Sequence, residues 1–225
     1  MRKNLQLRMS AWFLRKKERW ALATLVGNVE EFDRLVAQRI QALSVPIDNY
    51  TQNVSSGEMT ASLQTCALIW TLCEKIKPRK MLDTGSGFSS WVLRTVAESS
   101  GHDSVVWSVD DDQHWLAKTI KFCRHQGLGD DGRMVTWETF VVSDEGGFDL
   151  ILHDLGNRHT RFDTLPIVLD RLSPQGIVIL DDFHKHNYRR KAVPMLESRG
   201  YVVTPLLNHT LDTFGRYAAL ARRRD

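Results

Sequence analysis

Five carboxylates stand where short apolar runs end: Asp83 after Met81-Leu82, Asp110 after 105–109, Asp154 after 148–152, and the pair Asp181-Asp182 after 177–180. If those runs are strands of one open sheet, the acids share the rim outside the carboxyl ends, where such sheets bind ligands. Acids in that position can accept bonds from a ligand amine or hydroxyl, hold a cation, or cap the next helix. His153, His159, His184 and His186 fall beside the later acids, and imidazoles titrate near working pH, so they are candidates for moving a proton.

The stretch Asp83-Thr-Gly-Ser-Gly-Phe-Ser89 narrows these options. An apolar run breaks into Gly85-Ser86-Gly87 and resumes with helical spacing at Trp91, Val92, Leu93, Val96 and Ala97. Strand, glycine turn and helix in that order form the first unit of a nucleotide-binding α/β domain. Ser90 stands where the dinucleotide fingerprint has its third glycine, and a carboxylate just ahead of the turn disfavours a pyrophosphate. A nicotinamide dinucleotide is therefore a poor fit and a cationic cofactor a better one. Asp110 ends the second strand roughly 20 residues beyond the turn, where an acid holds ribose hydroxyls. Asp111 and Asp112 are placed to cap the helix that follows.

The elements that must position these residues alternate. Helical stripes run through 5–26, stopped by Gly27, and through Phe32, Leu35, Val36, Ile40 and Leu43, capped by Asn28 and ended by Pro46. A polar turn at Asn53-Val54-Ser55-Ser56 precedes a long helix over 59–77. Strands at 81–84, 104–109, 134–137, 148–152, 177–180, 201–206 and 216–221 then alternate with helices, and 134–137 brings Glu138-Thr139-Phe140 toward an adenine. The pattern predicts an α/β fold with a doubly wound, mostly parallel seven-stranded sheet. Residues 1–52 form an N-terminal helical extension, a cap or an oligomerisation element, and 53–225 the cofactor-binding domain.

The motif Asp83-x-Gly85-x-Gly87-x-Ser89 resembles the first motif of the class I S-adenosylmethionine (SAM) methyltransferases. From about residue 50 to 222 the chain is similar to their catechol O-methyltransferase-like branch. Ser108-Val109-Asp110 matches the ribose-binding acid, and the Asn53-Val54-Ser55 turn the segment over the methionine end of the cofactor. Phe148-Asp-Leu-Ile-Leu-His-Asp154 and Ile-Leu-Asp181-Asp182 match the two metal-ligand strands. The resemblance implies a Rossmann-like methyltransferase fold. It places SAM on Val54, Ser55, Asp83, Gly85, Ser86, Gly87, Ser89, Asp110, Asp111, Thr139 and Asp154, and one Mg²⁺ on Asp154, Asp181 and Asp182. Such a metal lowers a hydroxyl's pKa and orients it for in-line attack. The lysine that catechol-type enzymes carry soon after the strand-four aspartate is missing; Leu155-Gly-Asn-Arg-His159 follows instead. Asp154, His184 and His159 are then the catalytic candidates. The activity implied is Mg²⁺-assisted O-methylation of a hydroxylated small molecule. The alternatives are a metal-independent N- or RNA methyltransferase and a non-catalytic SAM-fold partner protein.

Composition bounds the rest. The chain has 225 residues, 42% hydrophobic, enough for one well-cored domain with a helical extension. A net charge of +3 does not by itself imply nucleic acid. The charge is uneven: Arg2, Lys3, Arg8, Arg15, Lys16, Lys17 and Arg19 crowd the first helix with Trp12, Phe13 and Trp20. Such a helix can pack on its own domain or a twin subunit, or lie on an anionic membrane. Arg158, Arg161, Lys185, Arg189, Arg190 and Lys191 form a basic run that suits an acidic substrate or solvent equally. Cys66, Cys73 and Cys123 have no metal-like spacing and read as reduced core thiols. With no apolar run near the ~18 residues of a membrane span, the expectation is a cytoplasmic homo-oligomer.

Overall fold

Ile177, Val178 and Ile179 are β-branched and apolar without interruption, the composition of a strand covered on both faces. The structure, a computed structural model, describes residues 2–101, 103–129 and 131–224, with side chains from residue 12 onward. It places that run inside a seven-stranded sheet with the order β3-β2-β1-β4-β5-β7-β6. The strands are β1 (Lys80–Thr84), β2 (Val105–Asp110), β3 (Met134–Thr136), β4 (Phe148–His153), β5 (Leu172–Leu180), β6 (Tyr201–Pro205) and β7 (Ala219–Arg223). The first five are parallel, and β7 runs antiparallel to both β5 and β6. The order reverses between β1 and β4, and the crevice outside such a switch point is where ligands bind.

The helices are α1 (Arg2–Val26), α2 (Val29–Asn53), α3 (Leu63–Ile76), α4 (Phe88–Ser99), α5 (Gln113–His125), α6 (Trp137–Val141), α7 (Arg158–Asp170), α8 (His186–Ser198) and α9 (Leu207–Thr210). They cover both faces of the sheet. Leu150, Leu152, Ile177 and Ile179 face Leu68, Ile69 and Leu72 of α3. Ile151, Val178 and Leu180 face Leu165, Val168 and Leu196 of α7 and α8. That alternation is the two-residue period of a strand sandwiched between helix layers. The doubly wound expectation is met.

The N-terminal helices share this core. Leu22, Phe32, Val36, Leu43 and Tyr50 are buried in the same apolar cluster as α3 and β4. Glu18 is fully buried and accepts from Asn208 N (2.9 Å), Asn208 Nδ2 (2.8 Å) and His209 Nδ1 (2.6 Å), tying α1 to α9. Trp12, Phe13 and Trp20 point outward, 50–62% exposed. The side chains of Arg2, Lys3, Leu5, Arg8 and Met9 lie outside those described. Among the described residues no helix is long and apolar enough to cross a membrane.

Two boundaries differ from expectation. Helix α2 continues through Pro46 to Asn53 instead of ending there. The proline removes one backbone donor, but the buried side chains of Leu43 and Tyr50 on either side hold the turn against the domain, and packing overrides the local penalty. Helix α3 starts at Leu63, not near Met59: Ser62 caps it, its hydroxyl accepting from Thr65 N at 3.0 Å. Residues 54–62 are thus a loop, and its residues 58–61 line the cleft described next.

Candidate active site

Strand β1 delivers the chain to Gly85, whose φ is +91°. A Cβ there would sit 2.4 Å from the Asp154 carbonyl oxygen, so only glycine lets the end of β1 pass the end of β4. The three turn amides are all used inside the protein. Gly85 N donates to Val109 O (2.8 Å), Ser86 N to an Asp110 carboxylate oxygen (2.7 Å) and Gly87 N to Ser90 Oγ (3.2 Å). A phosphate cradle needs such amides free. This turn instead serves to fix Asp110, which also accepts from Ser86 Oγ (2.7 Å) and, on its other oxygen, from Asp112 N (2.9 Å). A carboxylate offers about four acceptor positions, so one remains for a ligand hydroxyl. Burial raises the Asp110 pKa, opposed by the bonds from Asp112 and Ser86. Trp115 closes the turn, its indole N–H donating to Ser86 O at 2.6 Å.

Gly85, Ser86, Gly87, Ser89, Asp110, Asp111 and Asp154, all expected at the cofactor, line one open cleft of about 920 Å³. Four others expected there do not line it. Asp83 is fully buried beneath the turn, accepting from Ser89 Oγ (3.0 Å) and Ser90 Oγ (2.5 Å). In this position it holds the start of α4. Burial pushes its carboxyl up to about 7, against the pull of those two hydroxyls. Val54 and Ser55 sit at the end of α2, and Glu58, Met59, Thr60 and Ala61 of the following loop reach the cleft in their place. Thr139 lies on the exposed side of α6, its hydroxyl paired with that of Thr136 at 3.1 Å.

The far end of the cleft holds Asp154, Asp181 and Asp182, and here a residue without an assigned role in the motif takes the centre. Arg161, on the first turn of α7, is 5% exposed. Its Nη2 meets Asp154 Oδ1 at 2.5 Å and its Nη1 meets Asp182 Oδ2 at 2.5 Å. Nη2 also donates to Asp154 O (3.1 Å) and Gly156 O (3.0 Å). Lys185 pairs with the same Asp182 oxygen. Burial alone would raise Asp182, but Arg161 and Lys185 outweigh it and hold the carboxyl below its ordinary value. Burial raises Asp154, only partly offset by Arg161, and raises Asp181, with Asp182 adding to the effect. Asp182 also adopts φ +55°, a left-handed backbone that Asp tolerates better than most residues.

A divalent cation does not fit this arrangement. Among the described residues no three His, Cys, Asp or Glu side chains are grouped to hold a metal ion. The expected triad Asp154, Asp181 and Asp182 shares a rim, but a guanidinium spans two of its members. The expectation of Mg²⁺ on these three residues is not supported by this arrangement.

The histidines separate. His153 is fully buried, and its Nε2 lies 2.8 Å from Arg161 O. A carbonyl only accepts, so Nε2 carries the proton and Nδ1 accepts from Thr84 Oγ1 at 2.8 Å. Burial lowers its pKa to about 4, so the ring stays neutral and pins the backbone of Arg161. His159 and His186 are exposed and do not line the cleft. His184 does line it, and burial lowers its pKa, keeping the imidazole neutral. Arg161 and Lys185 of the basic run line the cleft, as do Trp115, Tyr50 and Arg216. Trp115, Lys185 and Arg161 had a visible signal, being close in sequence to strand-end acids. Tyr50 and Arg216 come from distant parts of the chain and had none.

No protein-family model matches the chain, and no curated protein matches it. Solved structures do share its fold. The SAH-bound methyltransferase PaMTH1 of Podospora anserina aligns over 88% of this chain and 97% of its own at 18% identity, TM-score 0.65. The O-methyltransferase TomG of Streptomyces achromogenes, in complex with SAM, aligns over 85% and 90% at 16% identity, TM-score 0.60. An O-methyltransferase from Bacillus cereus in complex with SAH aligns over 84% and 98% at 14% identity, TM-score 0.61. The chain has the Rossmann-like fold of the class I methyltransferases.

Proposed function

We propose that the chain is a SAM-dependent methyltransferase acting on a hydroxyl of a small molecule. The observation that carries the reading is Asp110, fixed at the end of β2 with one acceptor position open, beside a glycine turn whose amides are all occupied. Such a site suits a nucleoside without a pyrophosphate. The fold is one in which similar structures hold SAM or SAH. When bound, SAM supplies a methyl group on a sulfonium, an electrophile that needs no redox partner.

The chain's own residues would divide the work by their place in the cleft. Asp110 accepts from the ribose, and Trp115 and the 58–61 loop exclude water. At the far end Asp181 makes no ion pair among the described residues and can accept from the acceptor hydroxyl, orienting its oxygen for in-line attack. His184, neutral and in the cleft wall, can take the proton that the hydroxyl gives up. Mg²⁺ assistance has no part in this reading, because Arg161 and Lys185 already engage the carboxylates expected to hold the ion.

Calorimetric titration of S-adenosylhomocysteine into the purified protein tests the reading. Saturable binding supports it, and its absence returns the chain to a non-catalytic partner of the same fold. With an acceptor in hand, Asp181→Ala should abolish turnover and spare cofactor binding; full activity of that variant would remove Asp181 from the acceptor site.

A further inference from the structure

Three carboxylates line the far end of the cleft, and such a cluster is stable only if cations or bound protons offset its charge. Resting on the methyltransferase reading, we propose that Arg161 takes the place of a divalent cation in this cluster, so that methyl transfer in this protein is independent of metal.

The geometry carries the assignment. The guanidinium lies between Asp154 and Asp182, paired with a carboxylate oxygen of each at 2.5 Å and donating to that of Asp182. The same group donates to the carbonyls of Asp154 and Gly156, so one planar fork ties the end of β4 to the turn after β5. Its backbone is fixed as well: Arg161 O accepts from His153, and Arg161 N donates to Asn157 O at 2.8 Å. The side chain is 6% exposed, so it cannot leave without abandoning three hydrogen bonds and an ion pair.

Charge points the same way. With Arg161 and Lys185 in place, one of the three negative charges remains uncancelled by an ion pair, that of Asp181. A dication would have to approach that single free carboxylate within a few ångströms of a guanidinium that cannot be deprotonated. Hard divalent ions at protein sites gather several oxygen ligands, and a fixed cation a few ångströms away opposes their approach. Removal of the guanidinium would leave Asp154 and Asp182 without the counter-ion they share, on the same cleft wall as Asp181. Arg161 therefore both completes the rim and excludes the metal.

Mn²⁺ titrated into the SAH-saturated wild-type protein, followed by calorimetry and by loss of the free-ion paramagnetic signal, reads the proposal without any acceptor. No saturable binding is expected up to about 1 mM, and SAH affinity should be the same in EDTA as in Mg²⁺. Arg161→Ser should gain Mn²⁺ binding. Saturable Mn²⁺ binding by wild type would overturn the proposal. So would a folded Arg161→Ser protein that binds no Mn²⁺, since something other than Arg161 would then exclude the ion. If Arg161→Ser does not fold, Arg161→Lys keeps one cation at the rim and should still exclude Mn²⁺; Mn²⁺ binding by that variant would equally refute the idea. Failure of SAH to bind sinks the methyltransferase reading alone, because the Mn²⁺ titration can be run on the unliganded protein.

Discussion

The two ends of the cleft use the same residue type and treat it differently. At the glycine-turn end, Asp83 and Asp110 are satisfied by neutral donors, the hydroxyls of Ser86, Ser89 and Ser90 and the amides of Ser86 and Asp112. At the far end, Asp154 and Asp182 are satisfied by the cations Arg161 and Lys185. The first pair has raised pKa values because hydroxyls only partly offset burial. Asp182 is lowered because a guanidinium and an ammonium more than offset it. A strand-end aspartate is thus not one kind of site. Its neighbours decide whether it anchors a turn, receives a ribose or balances a cation.

Four substitutions would break or sharpen that contrast, from the largest effect to the smallest. Gly85→Ala should destabilise the fold by about 3 kcal/mol in urea unfolding, combining a left-handed backbone with a Cβ pressed on Asp154 O. A loss below about 1 kcal/mol would mean the two ends are not in rigid contact. Asp110→Ala should weaken SAH binding about 100-fold in calorimetry, the worth of a charge-assisted bond to a ribose hydroxyl together with a loosened turn. Unchanged affinity would place the ribose elsewhere.

Asp83→Asn addresses pH. A folded carboxyl raised to about 7 favours the folded state below the unfolded pKa of 3.8, and that contribution is lost as pH rises through the folded value. Wild-type stability should therefore fall between pH 4 and pH 7, and Asp83→Asn should remove that part of the slope, as measured by urea midpoints across the range. A slope untouched by the substitution would show that Asp83 is ionised in the folded protein. Lys185→Ala should move stability by less than about 1 kcal/mol, since Lys185 is 43% exposed and Arg161 still holds Asp182. A larger loss would make the ammonium, not the guanidinium, the main counter-charge.

Much of the molecule was legible in the chain itself. The strand–turn–helix unit at 81–97 is local: two-residue and 3.6-residue apolar periods and two glycines determine it without reference to the rest of the protein. The alternation of strands and helices then implies a doubly wound sheet, and the sheet in turn implies that Asp110, Asp154, Asp181 and Asp182 meet at one rim. Pro46 misled because a proline's local penalty is visible in sequence, whereas the burial of Leu43 and Tyr50 that overrides it is not. Val54 and Ser55 were placed by motif, and the cleft takes residues 58–61 because α2 runs a full turn and more past Pro46.

The sequence by itself determined which residues stand at the strand ends, because that depends on periodicity and chain order. Only the tertiary structure decided what each one does there. Asp83 turned inward because Ser89 and Ser90 of α4 fold back over it. Asp154 and Asp182 faced a cation from the chain because α7 brings Arg161 across the gap between β4 and β5. Hydrogen bonds and ion pairs act over a few ångströms in space, and residues 154, 161 and 182 become neighbours only once the sheet has formed.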